Sequence, residues 1–487
     1  GLASFSLQTS VGPIGWRSGD HGDADHTEWV RIDLGAEQEI DLIALVPALA
    51  RGGYNAYETD AFPLRFQIIA GTEHDVEGKV IASFSEQDAV TPRIAPLCIP
   101  CPRTRASWIK LEATRLGVRS WDGRYVLQLA EMMVFRDQEN IALGCPLKTS
   151  SDDNYNQGAR QTPFLVDGAL PYLMHSPGKK TTAYFTRLEE GTVANFTVDL
   201  GGVFPVNRLR MHSMDVSDTV PQANRANFAF PQHLILEGAL QPDFADARVL
   251  CEYVQKSMYD VSSIVQLRFT ELPCRYLRFS VPAADFVDSA EIDTRVDLLG
   301  FAELEVFAGG RNVLAGCEIS ADFDDSSAHN TPAFLTDGAN AYGSIIDTRD
   351  WIEQLALRHD LETERPQVQA SLDGLFSEQE QQFALLKNLS FLIGGALAIV
   401  ILLSHIIRLR QMSRLRQRLA ADLHDQVGAN LHAIGLLSDI AREEALMLAP
   451  TEEQTPLLSA VGEIRDTTER TAASVRHCSD TLEPHSL

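Results

Sequence analysis

The spacing of apolar residues changes near Trp351. Before it, short stretches alternate apolar and polar residues, as in WVRIDL, FQIIAG, SWIKLEA, FTVDL, RYLRFSV and ELEVF. Gly, Pro, Asn and Asp separate these stretches, so the pattern predicts antiparallel β-sandwiches, each with one buried face. After Trp351, apolar residues three and four positions apart predict helices.

The β-rich part of the chain repeats itself. Four pairs of stretches correspond, the first two pairs at an offset of 172 residues: ENIALGC (139–145) with RNVLAGC (311–317), LAEMMVF (129–135) with FAELEVF (301–307), TPFLVDGA (162–169) with TPAFLTDGA (331–339), and WVRIDLG (29–35) with NFTVDLG (195–201). We therefore predict one sandwich over 1–139, a second over 140–311, and a partial third repeat segment over 312–347.

Two helical stretches follow this segment. RDWIEQLALRHDLE carries an apolar stripe, Pro366 is expected to interrupt it, and SLDGLFSEQEQQFALLKNL continues the helical pattern. Residues 348–387 are predicted to form a helical connector. It either transmits a change in the sandwiches or serves as a passive stalk.

Residues 388–407, NLSFLIGGALAIVILLSHII, carry no formal charge. As a helix this run is about 30 Å long, the thickness of a bilayer's hydrocarbon core, so it predicts a transmembrane helix, the alternative being a buried helix of a soluble protein. Five arginines follow it without an acid: Arg408, Arg410, Arg414, Arg416 and Arg418. By the positive-inside rule, residues 408–487 are cytoplasmic, and residues 1–387 lie in the periplasm of a bacterium, with the helix in the inner membrane.

Length, charge and cysteines are consistent with this arrangement. The 487 residues suffice for about three domains, and the formal charge of −26 argues against a nucleic-acid partner. Gly1 is not an initiator Met, so we expect an upstream signal peptide or first membrane helix. Six cysteines fall on the outer side, where disulfides persist: Cys98, Cys101, Cys145, Cys251, Cys274 and Cys317. Cys98 and Cys101 form a CxxC that predicts a disulfide, free thiols or half of a metal site.

An apolar stripe continues beyond the arginines, typical of a coiled coil or helical bundle. It comprises Leu409, Met412, Leu415, Leu419, Leu423, Val427, Leu431, Ile434 and Leu437. His424 lies next to this stripe and Asp425 beside it. A phosphate acceptor needs an accessible nitrogen and a nearby carboxylate to orient the ring or take its proton, whereas a lone exposed His-Asp pair usually has no role.

The segment RLAADLHDQVGANLHAIGLLSDI resembles the dimerisation and phosphoacceptor region of sensor histidine kinases of the nitrate-sensor and thermosensor class. The resemblance covers residues 412–483, with a second helix at about 456–482 that completes a hairpin. It implies a homodimeric four-helix bundle, His424 as the phosphorylated residue and Asp425 as its base or orienting group. Ala429 stands where strong phosphatases of the family carry Gln, which puts phosphatase activity in doubt. Asn430 lies one position late, and His432 is interpreted as ordinary surface.

ATP is the cofactor that this resemblance implies. The family's ATP-binding domain, with its Asn-bearing helix and Gly-rich lid, should follow the hairpin, but the sequence stops at Leu487 and contains no P-loop. We expect either a truncated chain, which is favoured, or a protein without its own kinase domain. A fragment without that domain should be inactive alone.

The two sandwiches resemble the discoidin family, the coagulation factor V/VIII type C domains, which are galactose-binding-like jelly rolls. WVRIDLG, FPLRFQIIAG and ASWIKLEATRL carry the resemblance in the first copy, and FTVDLGGVFPVNRLRM, FPQHLILEG and CRYLRFSV in the second. It implies a glycan or other ligand bound by loops and a structural Ca²⁺, to which Asp167 and Glu303 would contribute oxygens. The alternative is a turn Asp and a surface Glu. Five loop residues either line a sugar site or are structural: Trp16, Trp121, Arg124, Tyr172 and His175.

The predicted fold is thus multidomain, with two all-β jelly-roll sandwiches, one transmembrane helix and a C-terminal helical hairpin. The leading hypothesis is a sensor histidine kinase that couples a periplasmic ligand to phosphorylation of His424 and phosphotransfer to a response regulator. The rival is a membrane-anchored carbohydrate-binding or adhesion protein with a helical dimerisation tail. A third hypothesis is a phosphoacceptor protein loaded by a separate kinase.

Overall fold

The computed structural model describes residues 1–5, 10–11, 14–51, 57–88, 90–91, 93–153, 158–181, 183–188, 193–214, 219–220, 230–256, 262–282, 297–323, 330–447 and 454–482. The chain divides into two compact units, Gly1–Pro366 and Gln367–Leu487. The first unit contains the described strands and the start of one long helix. The second contains the rest of that helix and a helical hairpin.

The first group of strands surrounds one apolar core. In chain order they are β1 Ser10–Val11, β2 Trp16–Arg17, β3 Glu28–Pro47, β4 Leu49–Arg51, β5 Tyr57–Thr59, β6 Arg65–Gly71, β7 Lys79–Phe84, β8 Leu97–Arg115, β9 Gly117–Val118, β10 Tyr125–Val126, β11 Gln128–Arg136, β12 Glu139–Asn140 and β13 Leu147–Thr149. The main sheet has the order β12-β11-β3-β8-β6-β7, with β2 on β11 and β13 on β3. Val30, Ile32 and Leu34 of β3 are buried at every second position, as the alternation predicts.

A second group of strands repeats this arrangement. These strands are β14 Tyr184–Leu188, β15 Ala194–His212, β16 Thr219–Val220, β17 His233–Ala239, β18 Arg248–Val254, β19 Ile264–Val281, β20 Asp297–Phe301, β21 Glu303–Ala308, β22 Arg311–Asn312, β23 Ile319–Ala321, β24 Ala339–Asn340 and β25 Gly343–Ser344. The main sheet has the order β22-β21-β15-β19-β17-β18, with β23 on β15. Because each strand takes the place of its counterpart in the first sheet, the predicted tandem all-β arrangement is confirmed.

Strand pairing moves the boundaries that the sequence suggested. β13 pairs with β3, and Leu165 and Val166 belong to the first core, so residues 140–169 complete the first sandwich instead of opening the second. In the same way β23 pairs with β15, and Leu335 lies in the second core. The segment predicted as a partial third repeat therefore closes the second sandwich. We call residues 16–169 the first β module and residues 184–339 the second β module.

A third apolar cluster lies on the outer face of the first module's sheet. Leu42, Ala44 and Val46 of β3 point into it, whereas the alternate residues Ile43 and Leu45 point into the module's own core. The first turns of helix α1 (Thr348–Asp422) cover this face with their buried apolar side chains: Trp351, Ile352 and Leu355. The stripe predicted after residue 350 therefore attaches the helix to the β modules.

The remaining helices follow α1 closely. Residues Leu423–Gly428 form a π-helix, α2 spans Ala429–Met447, and α3 spans Gln454–Leu482. Pro366 lies inside α1, so the interruption predicted there does not occur. Proline lacks the N–H that the helix needs and costs about 3 kcal/mol in a helix interior. This helical region includes one stretch that is long and apolar enough to cross a membrane, and its side chains are exposed within the chain.

Candidate functional site

His424 and Asp425 lie within the π-helical segment. Both side chains are exposed, while Leu423 and Val427 beside them are partly buried. A π-helix is closed by hydrogen bonds five residues apart, is rare, and occurs frequently at functional sites. Across the described residues, the side chains of His424 and Asp425 take part in no hydrogen bond or ion pair. The imidazole is therefore free to meet a reactant from solvent.

The π-helical segment agrees with the spacing of apolar residues around it. Leu419, Leu423, Val427 and Leu431 follow each other at steps of four. An α-helix has 3.6 residues per turn, so residues four apart drift around its axis. Because a π turn takes more residues, it reduces this drift and keeps Leu423, Val427 and Leu431 on the partly buried side.

The second helix of the predicted hairpin packs against the first. Ser479 Oγ of α3 donates a hydrogen bond to the carbonyl oxygen of Ala420 at 3.2 Å, and Arg465 forms an ion pair with Asp439 at 2.7 Å. Ala420 precedes Asp439 in the chain, whereas its partner Ser479 follows Arg465. The two sides of the hairpin are therefore antiparallel. Small and polar side chains fill the contact: Ala420, Ser438, Ala445, Thr468 and Ser479.

The apolar stripe predicted for this region divides into two sets. Leu423, Val427 and Leu431 are partly buried within the hairpin, whereas Ile434 and Leu437 are exposed. Further exposed apolar side chains lie on the same hairpin: Leu436, Ile440, Leu457 and Ile464. Burying one such side chain is worth about 1.5–3 kcal/mol, so this surface can support contact with another chain.

The positions at which this helix differs from the helix of family members with strong phosphatase activity are also exposed. Ala429, Asn430 and His432 are all exposed on the first turns of α2. Ala429 has no polar group with which to orient a water molecule. His432 is a surface residue, as predicted.

The predicted calcium acids belong to two different corners. In the first β module, the loop of Asp167 is closed by Glu131, whose Oε1 accepts a hydrogen bond from Gly168 N at 3.0 Å. In the second, Glu303 Oε1 accepts one from Gly338 N at 2.9 Å. Asp167 Oδ1 accepts from Ala169 N at 2.8 Å, which makes it the turn Asp of the alternative interpretation. Glu303 is fully buried and is not the surface Glu of that interpretation.

Burial determines the protonation of both glutamates. Desolvation, with help from the neighbouring acids, raises the pKa of Glu303 from 4.5 to about 9 and that of Glu131 well above its usual value. Each corner thus brings together one Glu and one Asp, fewer carboxylates than a six- to eight-oxygen calcium shell usually employs. Calcium binding by Asp167 or Glu303 stays a prediction.

The five predicted loop residues have different environments. Trp16 lies in the first core and Tyr172 in the third cluster, both fully buried. His175 is half-buried near Tyr342. Trp121 is 70% exposed beside the Arg119 guanidinium, and Arg124 reaches Asp20 at 3.6 Å. Of the five, Trp121 and Arg124 are therefore available to an external ligand.

Polar contacts attach the start of α1 to both β modules. Arg349 pairs with Asp41 of the first module at 2.9 Å, and Arg210 of the second donates to Thr348 Oγ1 at 3.0 Å. Arg210 also forms a buried ion pair with Glu305. Although burial opposes it, Arg210 and His212 lower the pKa of Glu305 to about 2. Both modules therefore contact the first turn of the helix.

All seven cysteines are free thiols in the structure. Cys98 packs against the third cluster and Cys101 lies in the first core, because side chains three residues apart along a strand point to opposite faces. These two thiols consequently do not form a common metal site or a disulfide here.

One cluster of side chains escaped the sequence-based prediction. In the described part of the chain, the only group of three His, Cys, Asp or Glu side chains gathered closely enough to hold a metal ion is His21, His26 and Glu28. The spacing in HGDADHTE was the available signal, but it matches no common metal motif.

Comparison with known proteins identifies the C-terminal segment. Residues 416–487 match the family model HisKA_3, described as histidine kinase, and form a histidine kinase domain of that family. This confirms the resemblance stated for residues 412–483. No curated protein matches the chain.

Solved structures similar to the chain include carbohydrate-binding modules. A chitosan-binding module of a chitosanase/glucanase from Paenibacillus sp. IK-5 is 14% identical, with 25% of this chain and 75% of that chain covered and a TM-score of 0.18. CBM32-3 from a family 31 glycoside hydrolase of Clostridium perfringens is 13% identical, covering 25% and 71%, at a TM-score of 0.19. A fucolectin from striped bass, Morone saxatilis, is 13% identical, covering 59% and 83%, at 0.16. TM-scores this low support no conclusion about ligand or activity.

Proposed function

We propose that the chain is the sensing and phosphoacceptor part of a transmembrane sensor histidine kinase in a two-component system. The observation that carries the proposal is the HisKA_3 domain at residues 416–487, in which His424 is exposed within a π-helical segment. A membrane-anchored adhesion protein would account for the β modules and the apolar helix. It gives no reason for a histidine kinase domain.

His424 is the proposed phosphate acceptor. A neutral imidazole nitrogen forms a bond to the γ-phosphorus of ATP as the bond between that phosphorus and the ADP oxygen breaks, and ADP leaves. The proton on the other ring nitrogen passes to a base, for which Asp425 lies one residue away on the same helix. ATP is supplied by an ATP-binding domain. The phosphoryl group then moves to an Asp of a response regulator.

The dimer is part of the proposal because the exposed apolar residues of the hairpin need a partner surface. Ile434 and Leu437 of α2 and Ile464 of α3 lie on one hairpin, as expected for half of a four-helix bundle. A second copy of the chain would cover them and present His424 at the flank of the bundle.

Sensing is assigned to the β modules. Trp121 and Arg124 offer an aromatic face and a planar donor, which suit a sugar ring, so a periplasmic glycan is the proposed ligand class. Both modules contact the first turn of α1, and this helix continues through the proposed membrane-spanning residues 388–407 to Asp422. A ligand-dependent shift of the modules would thus reach the helix that precedes His424. A thermal-shift screen of glycans, comparing the natural protein with Trp121→Ala, tests this assignment.

The test of the phosphoacceptor compares two histidines on one helix. His424→Gln and His432→Gln variants are expressed in cells, and acid-labile phosphate on the purified chain is measured. We expect the phosphate to be lost in His424→Gln and kept in His432→Gln, whichever kinase domain delivers it. Acid-labile phosphate retained in His424→Gln, or none on the natural protein under any condition, would contradict the proposal.

A further inference from the structure

Two imidazoles and one carboxylate meet at the loop that leads into strand β3. The rings of His21 and His26 stack with centroids 3.6 Å apart and planes inclined by 20°. His21 Nε2 lies 2.6 Å from Glu28 Oε1, and the candidate ligand atoms of the three residues lie within 4.8 Å of one another. The three side chains therefore converge on one point.

Hydrogen bonds hold this group in place. Glu28 is buried, and both its oxygens accept hydrogen bonds from hydroxyls, Oε1 from Ser151 at 2.7 Å and Oε2 from Ser150. The backbone of His21 pairs with that of Tyr125 through bonds of 2.9 and 3.1 Å. Such outer contacts orient the ligands of metal sites.

The surroundings of the group also favour a cation ligand. His26 is exposed, and acidic residues Asp20, Asp23 and Asp25 share its loop. Asp20 and Asp25 pair with arginines, whereas Asp23 is exposed, and a divalent cation could enter beside it from solvent.

We propose that His21, His26 and Glu28 form a binding site for a divalent transition-metal ion such as Zn²⁺. Two imidazole nitrogens and one carboxylate oxygen suit Zn²⁺, whereas Ca²⁺ takes oxygen ligands. With three protein ligands, the fourth tetrahedral position is left for water or an exogenous ligand. At metal–ligand distances near 2.0 Å, the His21–Glu28 separation would open from 2.6 Å to about 3.3 Å, a small side-chain movement.

The site belongs to the first β module and does not depend on the proposed phosphotransfer. Glu28 is the first residue of β3, and the same strand carries Asp41, which pairs with Arg349 of α1 at 2.9 Å. The metal would thus bind at the start of the strand whose far part contacts the long helix.

The experiment measures Zn²⁺ binding to the purified full chain in detergent by equilibrium dialysis. His26→Ala removes one exposed ligand and leaves buried Glu28 intact. His233→Ala is the matched control, because His233 pairs with Glu252 at 2.7 Å in the second β module and belongs to no group of three candidate metal ligands among the described residues. We expect the natural protein and His233→Ala to bind one more Zn²⁺ per chain than His26→Ala at the same free concentration.

Three further measurements distinguish this site from a thiolate site, an oxygen-ligand site and the phosphoacceptor region. Co²⁺ bound in place of Zn²⁺ should show no thiolate-to-cobalt charge-transfer band, since no cysteine is a ligand, and excess Ca²⁺ should not displace it. His424→Gln should bind Zn²⁺ like the natural protein, so a failure of the phosphoacceptor proposal would leave this result unchanged. Equal Zn²⁺ binding by His26→Ala and the natural protein, or an equal loss in His233→Ala, would overturn the inference.

Discussion

Glu131 and Glu303 close equivalent corners of the two β modules. Each is fully buried and accepts a hydrogen bond from the glycine of a DGA turn, Gly168 or Gly338. Among the residues that the structure describes, one carboxylate oxygen of each has no hydrogen-bond partner. A buried group of this kind is costly when charged, and with a pKa raised to about 9 Glu303 stays protonated at neutral pH in the folded protein.

This protonation predicts that stability falls as pH rises. The folded-state pKa of Glu303 is about 9, against 4.5 in an unfolded chain, so the folded protein holds a proton that unfolding releases between these values. The free energy of unfolding should therefore fall by up to ~1.4 kcal/mol per pH unit across this window. Glu303→Gln keeps an acceptor for Gly338 and carries no titratable proton. Thermal unfolding of the full chain from pH 5 to 8.5 should show a weaker pH dependence for this variant.

Glu271→Gln is the control for that measurement, since Glu271 is an exposed glutamate of the same module. It should leave the pH dependence of the natural protein unchanged. If Glu303→Gln follows the natural protein throughout, the proton is not held at this carboxyl.

The repeat in the sequence contained the information needed to pair these acids. In the repeat, Glu131 of LAEMMVF corresponds to Glu303 of FAELEVF. Asp167 and Asp337 likewise hold equivalent positions in the two DGA stretches. The predicted ligand pair combined Asp167 of one copy with Glu303 of the other. The pairing within each copy depends on contacts between residues about 35 positions apart, and local periodicity does not reveal such contacts.

The first turns of α1 are the element that joins the β modules to the rest of the chain. Trp351, Ile352 and Leu355 are buried in the third cluster, while Leu357 on the same helix is 49% exposed. Spacing alone placed all four in one predicted stripe. Contact with the sheet face of Leu42, Ala44 and Val46 determines which of the four are buried. This face is remote from them in sequence.

Trp351→Ala should release the start of α1. Removing this buried indole is expected to cost about 3–5 kcal/mol, because a cavity remains against Tyr172 and Ile352. Hydrogen–deuterium exchange of residues 348–356 should become much faster. Leu357→Ala should change the stability by less than about 0.5 kcal/mol and leave the exchange unaltered. Similar exchange in the two variants would show that the cluster does not hold the helix.

The hairpin makes a separate prediction about association. Leu437 on α2 is 65% exposed, and Leu437→Asp would place a charge on the surface proposed to meet a second copy. Arg442→Asp introduces the same side chain five residues later, about 140° around the helix. Sedimentation in detergent should show loss of dimer for Leu437→Asp and a dimer for Arg442→Asp. A dimer in both variants would place the contact between chains elsewhere.

Considered as a whole, the molecule was predictable where one pattern persisted over many residues. Alternation predicted the tandem sheets, the uncharged run predicted the apolar helix, and LHDQVGANL predicted the histidine kinase domain. The boundaries between the β modules were harder to predict. Residues 140–169 follow the main strands of the first module in sequence, and only their pairing with β3 assigns them to it. The π-helix was missed because it differs from an α-helix by a change in hydrogen-bond register that side-chain spacing indicates only weakly.

The proposed membrane topology can be tested with the chain's own thiols. Cys478 on α3 is exposed, whereas burial raises the pKa of Cys98, Cys101 and Cys251 to about 12 and that of Cys274 to about 11. Burial also raises the pKa of Cys145 and Cys317. Because the thiolate is the form that reacts, a membrane-impermeant maleimide should label Cys478 far faster than these six thiols.

If residues 408–487 are cytoplasmic, intact spheroplasts should give little labelling of the natural protein, and lysis should expose Cys478. Cys478→Ser should remove the signal that appears on lysis. Val76→Cys provides the opposite case, since Val76 is 74% exposed in the first β module and should be labelled in intact spheroplasts. Strong labelling of Cys478 before lysis would place the hairpin on the same side of the membrane as the β modules. His424 would then have no access to cytoplasmic ATP, and the sensor-kinase proposal would fail with the topology.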